Sequence, residues 1–314
     1  MRRLLRLAIL LALLWAAGWF VTARVVERAA ETWFAEQARD GWIAGYDALA
    51  TGGFPGRVAL DLEGVRMIDP VPATGWEADA LRVWAQALRP RSVQARVPGP
   101  QRLWVAGTPL DLDGGLSATL RPGWAGGTPA AELAGSGLLL TGPAWQVALE
   151  ILEIAGVRTE DGGAFSLAVD AVTLDPRWVP EGAPGQVDSI RLAGRGEFAE
   201  DASGAAAPER LVVEEAEIDW GATRLEAEGA VALDAEGRPE GRITFRAENW
   251  TPLLDLAVAA GLVRAEVAPT WARVFETLED ASGESGQLDL PLVFQQGRMS
   301  FGPIPLGPAP RLGG

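Results

Sequence analysis

The sequence predicts a mainly β protein that begins with one membrane helix. Three observations support this prediction: an apolar run at the N-terminus, a long tract after Arg57 in which apolar and polar residues alternate, and short Gly, Pro and Asp clusters between the alternating stretches. Alternation with a period of two gives strands with one buried and one solvated face, and tight turns join such strands in antiparallel order. We therefore expect a long curved antiparallel sheet, either a half-barrel with an open groove or a closed sandwich.

The composition restricts the chemistry that the chain can perform. Of 314 residues, 48% are hydrophobic and 22% are charged, which indicates a folded chain, and the formal net charge is −15. The sequence contains no histidine, cysteine or lysine, so catalytic triads, thiolate or imidazole metal sites, disulfides and Schiff-base chemistry are excluded. We predict no catalytic residue, no cofactor and no metal ligand. The acidic balance also argues against a nucleic-acid partner.

The N-terminal apolar run, residues 4–23, is long enough to span the hydrocarbon core of a bilayer. Arg2 and Arg3 precede it, and Arg6 is the single charge near its start. This charge bias keeps the N-terminus in the cytoplasm, so we expect a single-pass inner-membrane protein with a periplasmic body. A signal peptide cleaved after Ala23 is the alternative, but the apolar run is longer than a signal core and carries bulky Trp19 and Phe20 near its end.

The organisation beyond the anchor is predicted in three parts. Residues 1–24 are the Arg-rich start and the anchor, and residues 25–56 are an amphipathic helix that ends in the turn TGGFPG. Residues 57–314 are the β-rich domain, with possible seams at the Ala/Gly-rich segments 123–137 and 200–209. Two short helices, 251–263 and 268–280, are expected to cover one end or an open face of the sheet.

The alternating strands supply the candidate site, an apolar groove that could hold an acyl chain. In RVALDLE and in RLEAEGAVALD the apolar residues fall on one face and the carboxylates on the other. The predicted groove lining is Val58, Leu60, Leu62, Leu225, Val231, Leu233, Ile243 and Phe245.

Two groups of carboxylates resemble cation sites. Asp111 and Asp113 form an Asp-x-Asp pair, and Glu215, Glu217 and Asp219 occupy alternate positions of one strand. A solvated strand face explains both groups more simply. The 13 tryptophans are a further unusual feature: they are expected to seal the margins of the sheet, with an acyl-groove lining or a membrane-interface role as the alternative.

Two resemblances are carried by short motifs. The helical start followed by Tyr46, the triplet Gly53-Phe54-Pro55, Arg57 and amphipathic strands resembles the uncharacterised alphaproteobacterial family DUF2125. Residues 211–308, with two strands before a short helix and the ending GRMSFGPIPLG, resemble AsmA-like envelope proteins. The second resemblance implies an inner-membrane protein whose curved sheet holds lipid on its concave side.

The leading functional hypothesis is therefore non-enzymatic lipid handling, lipid transport or envelope assembly, with the inner membrane and a phospholipid or another envelope protein as partners. Two alternatives remain. One is a structural or interaction protein with a closed β core, and the other is a hydrolase that uses carboxylates alone, which requires two acids about 5–10 Å apart in a cleft.

Overall fold

The computed structural model describes residues 2–71, 73–87, 91–123, 128–159, 162–200, 206–234, 237–261, 263–282 and 286–310. The protein is mainly β and antiparallel, with one long N-terminal helix and two short helices late in the chain, as predicted. The chain divides into two compact units, Met1–Gln146 and Val147–Gly314. The centres of the two predicted seams, 124–127 and 201–205, lie outside the described residues.

The first unit contains one helix and eight strands. They are α1 (Arg2–Arg39), β1 (Ile43–Gly45), β2 (Ala48–Gly52), β3 (Arg57–Asp69), β4 (Thr74–Gln86), β5 (Val93–Val97), β6 (Gln101–Val105), β7 (Thr108–Arg121) and β8 (Ala130–Thr141). Strand β3 pairs with β1 and β2 on one side and with β4 on the other. Strands β5 and β6 both lie between β4 and β7, and β7 pairs with β8.

Helix α1 is long and apolar enough to cross a membrane, and its C-terminal half packs on the sheet. The packed side chains recur at steps of three and four residues: Trp19, Ala23, Val26, Ala30 and Phe34. This spacing places them on one face of the helix. We call this face the apolar stripe of α1. The predicted amphipathic helix is thus confirmed up to Phe34, except that Trp33 lies outside the stripe and is 46% exposed.

The predicted helix over residues 25–50 is too long by about two fifths of its length. It ends at Arg39, and residues 43–52 form β1 and β2 instead. Gly41 follows the helix with φ 96°, a conformation that terminates helices and that side chains disfavour. The apolar spacing after this point still buries Leu49, but from a strand, because a strand edge was available to it on β3.

The second unit is an antiparallel meander with a helical insertion. Its elements are β9 (Gln146–Thr159), β10 (Gly162–Thr173), β11 (Gln186–Glu200), β12 (Ala206–Trp220), β13 (Thr223–Leu233), β14 (Pro239–Glu248), α2 (Thr251–Ala259), α3 (Ala268–Ser282), β15 (Gln287–Gln295), β16 (Arg298–Phe301) and β17 (Ile304–Pro308). Each strand pairs with the next in sequence, and β14 pairs with β15 across the insertion.

Helices α2 and α3 cover one end of this sheet, as predicted. Trp250, at the start of α2, packs edge-on against Phe275 of α3 at a ring separation of 5.3 Å. Phe275 in turn contacts Trp271 and Phe301, so aromatic rings join the helices to the last strands. The indole nitrogen of Trp250 donates to Glu279 Oε2 at 2.9 Å, which satisfies its polar group inside the cluster.

Candidate functional site

One face of the second unit is apolar along its whole length, and the strand register shows how it is built. Ile190, Ile218, Leu225, Ala247 and Leu288 are successive cross-strand neighbours from β11 to β15. Because directly opposed residues point to the same side of a sheet, they form one apolar row. Further rows follow in parallel along the same face.

The rows at one end of this face are covered by the helices. Leu225, Ala247 and Leu288 pack with Trp250 and Phe275 in one buried cluster. Val169, Val172, Val187 and Trp220 form a second cluster, which Leu253 and Leu256 of α2 also contact. The α2–α3 insertion therefore shields this part of the face from water.

The rows at the other end form what we call the open face. It consists of Phe165, Leu211, Val213, Ile243, Leu292 and Phe294, which belong to neither of the two buried clusters. Within the described part of the chain these side chains are half-buried, apart from Leu211, which is 37% exposed. The open face is apolar surface on which α2 and α3 do not lie.

A bulge in β12 and a glycine in β11 shape the open face. Between Val213 and Ala216, β12 carries one more residue than β13, so these two side chains both reach the apolar face despite their odd separation. The ring of Phe165 lies over Gly194 on the neighbouring strand, 2.9 Å from the position that a β-carbon there would take. The same β-carbon would lie 2.3 Å from the carbonyl oxygen of Val212, so an alanine at this position would displace both the ring and the neighbouring strand.

Five of the eight predicted groove residues lie on this apolar face. Val231, Leu233 and Ile243 lie on the side away from the helices, and Val231 is buried. Leu225 packs under the helices, and the ring of Phe245 contacts Phe301 at 5.6 Å. The predicted residues of β13 and β14 thus share one apolar face, on which Leu225 is covered by this chain's own residues.

The other three predicted groove residues have a different environment. Val58 packs on Trp19 and Ala23, and Leu60 and Leu62 pack on Phe34. All three are buried beneath α1, so this structure leaves none of their surface open to a ligand. The physical reason is that the stripe on α1 needed an apolar partner, and β3 supplies it.

Sequence reasoning missed several members of the open face. Phe165, Leu211 and Val213 carry the same period-two signal as the predicted residues. The signal identifies each strand's apolar side, but only the register places Leu211 of β12 opposite Val231 of β13.

The opposite face of the second unit is charged. A cavity of about 270 Å³ there is lined by Glu214, Glu215, Ala216, Glu217, Glu226, Ala227, Glu228, Thr244 and Arg246. Arg224 forms salt bridges with Glu217, with Asp219 at 3.3 Å and with Glu226 at 2.9 Å. The hydrogen bond to Glu226, followed by the negative charges of Glu217 and Asp219, raises the pKa of Arg224 above its ordinary value. Arg224 thus offsets part of the negative charge of this acidic surface, as expected of a solvated face.

Asp111 and Asp113 lie on the exposed side of β7, with Leu112 buried between them, as their alternation predicts. They border a polar cavity of about 500 Å³ in the first unit, but Asp111 is held by Arg102 at 2.7 Å. Among the described residues no group of three carboxylates is placed to bind a metal ion. The carboxylates of both motifs instead form salt bridges or face solvent.

Several tryptophans of the described chain pack into the sheet with a hydrogen-bonded indole nitrogen. Trp76 donates to buried Gln101, Trp104 donates to Glu77, and Trp220 donates to the carbonyl of Pro184. Trp220 is almost fully buried. Trp19 differs from these because it lies within the apolar run of α1.

A family model described as "Uncharacterized protein conserved in bacteria (DUF2125)" matches residues 19–310. This match covers nearly the whole chain, so the protein belongs to the DUF2125 family, as the motif around Gly53-Phe54-Pro55 predicted. No curated protein and no solved structure matches the chain. The AsmA-like resemblance of residues 211–308 is not confirmed by these comparisons and stays a prediction.

Proposed function

We propose that this member of the DUF2125 family is a single-pass inner-membrane protein whose periplasmic body binds phospholipid without catalysing a reaction. The observation that carries the proposal is the open face of the second unit. Exposing apolar surface to water costs about 25 cal/mol per Å². A broad apolar sheet face therefore favours an apolar ligand that covers it. An acyl chain matches the shape of a row of half-buried aliphatic and aromatic side chains.

The packing of α1 supports an uncleaved anchor. Trp19 and Ala23 are both buried against β3, and the Trp19 indole donates to the carbonyl of Arg57 at 2.8 Å. Cleavage after Ala23 would remove both side chains from the folded first unit and expose Val58. The end of the apolar run is therefore part of the domain as well as of the span.

The charge distribution supports the proposed orientation. All acidic residues follow Arg24 in the sequence, whereas three arginines lie before or at the start of the apolar run. Short positively charged flanks remain in the cytoplasm. The body then faces the periplasm.

The test is site-specific photocrosslinking in cells. A benzophenone amino acid replaces Leu211 on the open face, and a matched control replaces Ile151, which is 41% exposed and pairs with Asp170 on the charged face. We expect radiolabelled phospholipid to be attached at position 211 and not at position 151. Adducts with a protein at position 211 would favour the interaction-protein alternative, and equal lipid labelling at both positions would contradict a specific lipid site.

A further inference from the structure

The turn between β2 and β3 packs against the end of the apolar run in α1. The amide of Arg57 donates to the carbonyl of Gly53 at 3.1 Å, which closes the turn. The ring of Phe54 lies 5.4 Å from Trp19, edge-on, and 6.2 Å from Phe20, in a stacked arrangement. The turn thus places an aromatic ring beside two aromatic rings of the span.

Gly53 is required for this arrangement. Its φ is 96°, which disfavours any residue with a side chain. A β-carbon there would also lie 2.8 Å from the carbonyl oxygen of Arg57, the atom that accepts the hydrogen bond from Trp19. The sequence of the turn is therefore matched to its contact with the helix.

The contact determines the depth of Phe54. Phe20 lies three residues before the end of the apolar run at Ala23, or about 4.5 Å along the helix axis. Because the ring of Phe54 stacks on that of Phe20, both rings must lie at a similar depth wherever the run crosses a bilayer. Both are turned outward, with Phe20 60% and Phe54 51% exposed.

The surroundings change from apolar to charged at the same level. A cavity of about 420 Å³ beside the turn is lined by Trp19, Phe20 and Phe54 and also by Arg24 and Glu27. Aromatic rings and arginines concentrate where hydrocarbon meets headgroups in membrane proteins. The lining therefore matches the composition of a membrane interface.

We propose that the turn at residues 53–57 inserts Phe54 into the periplasmic interface of the bilayer that α1 spans. The occupant of this surface is phospholipid, at the level of the glycerol and the first acyl carbons. This inference rests on the membrane anchoring of the proposed function, but not on lipid binding at the open face. Helix α1 and the turn at residues 53–57 both contact the bilayer. The first unit is therefore held against the membrane surface and does not move freely about α1.

The test exploits the absence of cysteine from the sequence, since any introduced cysteine is the only labelling site. Three single variants of the full chain carry a bimane label: Phe54→Cys, Phe20→Cys as a marker of the span, and Val71→Cys as the control. Val71 is 82% exposed and follows the other end of β3, which at about 3.3 Å per residue lies roughly 40 Å from the turn. The proteins are reconstituted in phosphatidylethanolamine–phosphatidylglycerol vesicles that contain lipids with a nitroxide at acyl carbon 5.

We expect the label at position 54 to be quenched about as strongly as that at position 20, and several-fold more than that at position 71. Gly56→Cys provides a second variant in the same turn, where a β-carbon meets no atom within 4 Å, so that a disturbed Phe54 contact does not decide the result. If position 20 is quenched while positions 54 and 56 behave like position 71, interface insertion is wrong and the anchor stands. If position 20 is not quenched either, the anchor fails and the insertion fails with it.

Discussion

Truncating Phe34 to alanine should release the C-terminal half of α1 from the sheet of the first unit. The Phe34 side chain is buried among Leu60, Leu62 and Val65, and its ring contacts Tyr46 at 5.1 Å. Phe→Ala substitutions at such sites cost about 3–5 kcal/mol through lost burial and a cavity. With a midpoint change of about 2–4 °C per kcal/mol for a domain near this size, the thermal midpoint of the first unit should fall by roughly 6–20 °C.

The assay is thermal unfolding of the full chain in detergent micelles, followed by hydrogen exchange of β2 and β3 to identify the unit that opens. Trp33→Ala is the matched control, because Trp33 neighbours Phe34 on α1 but is 46% exposed, whereas Phe34 is buried. Its edge-on contact with Phe34 contributes about 0.5–1.5 kcal/mol beyond the area it buries, and because nearly half of Trp33 is exposed we expect a smaller loss than for Phe34→Ala. Equal losses for the two variants, or unchanged exchange in β2 and β3, would refute the docking of α1 through this stripe.

Two further perturbations test the second unit. The hydrogen bond from Trp250, followed by that from the amide of Gly286, holds the pKa of Glu279 below its usual value. The ionised Glu279 therefore stabilises the folded unit at neutral pH, and this stabilisation is lost as the pH falls through the lowered pKa. Glu279→Gln should therefore destabilise the unit at pH 7. The difference in the free energy of unfolding from the unmodified protein, measured by denaturant titration, should shrink towards pH 3. A difference that does not depend on pH would contradict this role. Gly229 has φ 154°, and a β-carbon there would lie 2.2 Å from the carbonyl oxygen of Arg242, so Gly229→Ala should cost at least about 1–3 kcal/mol in urea unfolding. Gly185→Ala is its control, since open space surrounds that position, and comparable losses in the two variants would show that the strand contact does not matter.

Much of the fold could be predicted from local patterns. In β3 and β13 the alternation identified both the strands and their apolar sides, because a period of two is a property of each segment alone. The family assignment also followed from a short motif, and the match to residues 19–310 confirmed it. The pattern failed at Leu49, where helical spacing continued into a segment that pairs with β3 as a strand. There, pairing with the neighbouring strand outweighed the local periodicity.

The candidate site was predicted only in part. Five predicted residues share one face, but the face extends to Phe165, Leu211 and Val213, which the register alone brings alongside them. The contact of Phe54 with Trp19 was also missed, since 35 residues separate them and only the aromatic turn motif gave any signal.

The sequence by itself determined the strands, their apolar sides and the candidate span, since each of these depends on residues close together in the chain. It also fixed the composition, which is rich in carboxylates and contains no histidine. The tertiary structure decided what covers each apolar strip. Val58, Leu60 and Leu62 are covered by α1, Leu225 is covered by α2 and α3, and the open face is covered by neither short helix. The physical reason is that hydrophobic burial is non-directional: a pattern states that a surface must leave water, whereas chain connectivity and register select the partner that removes it.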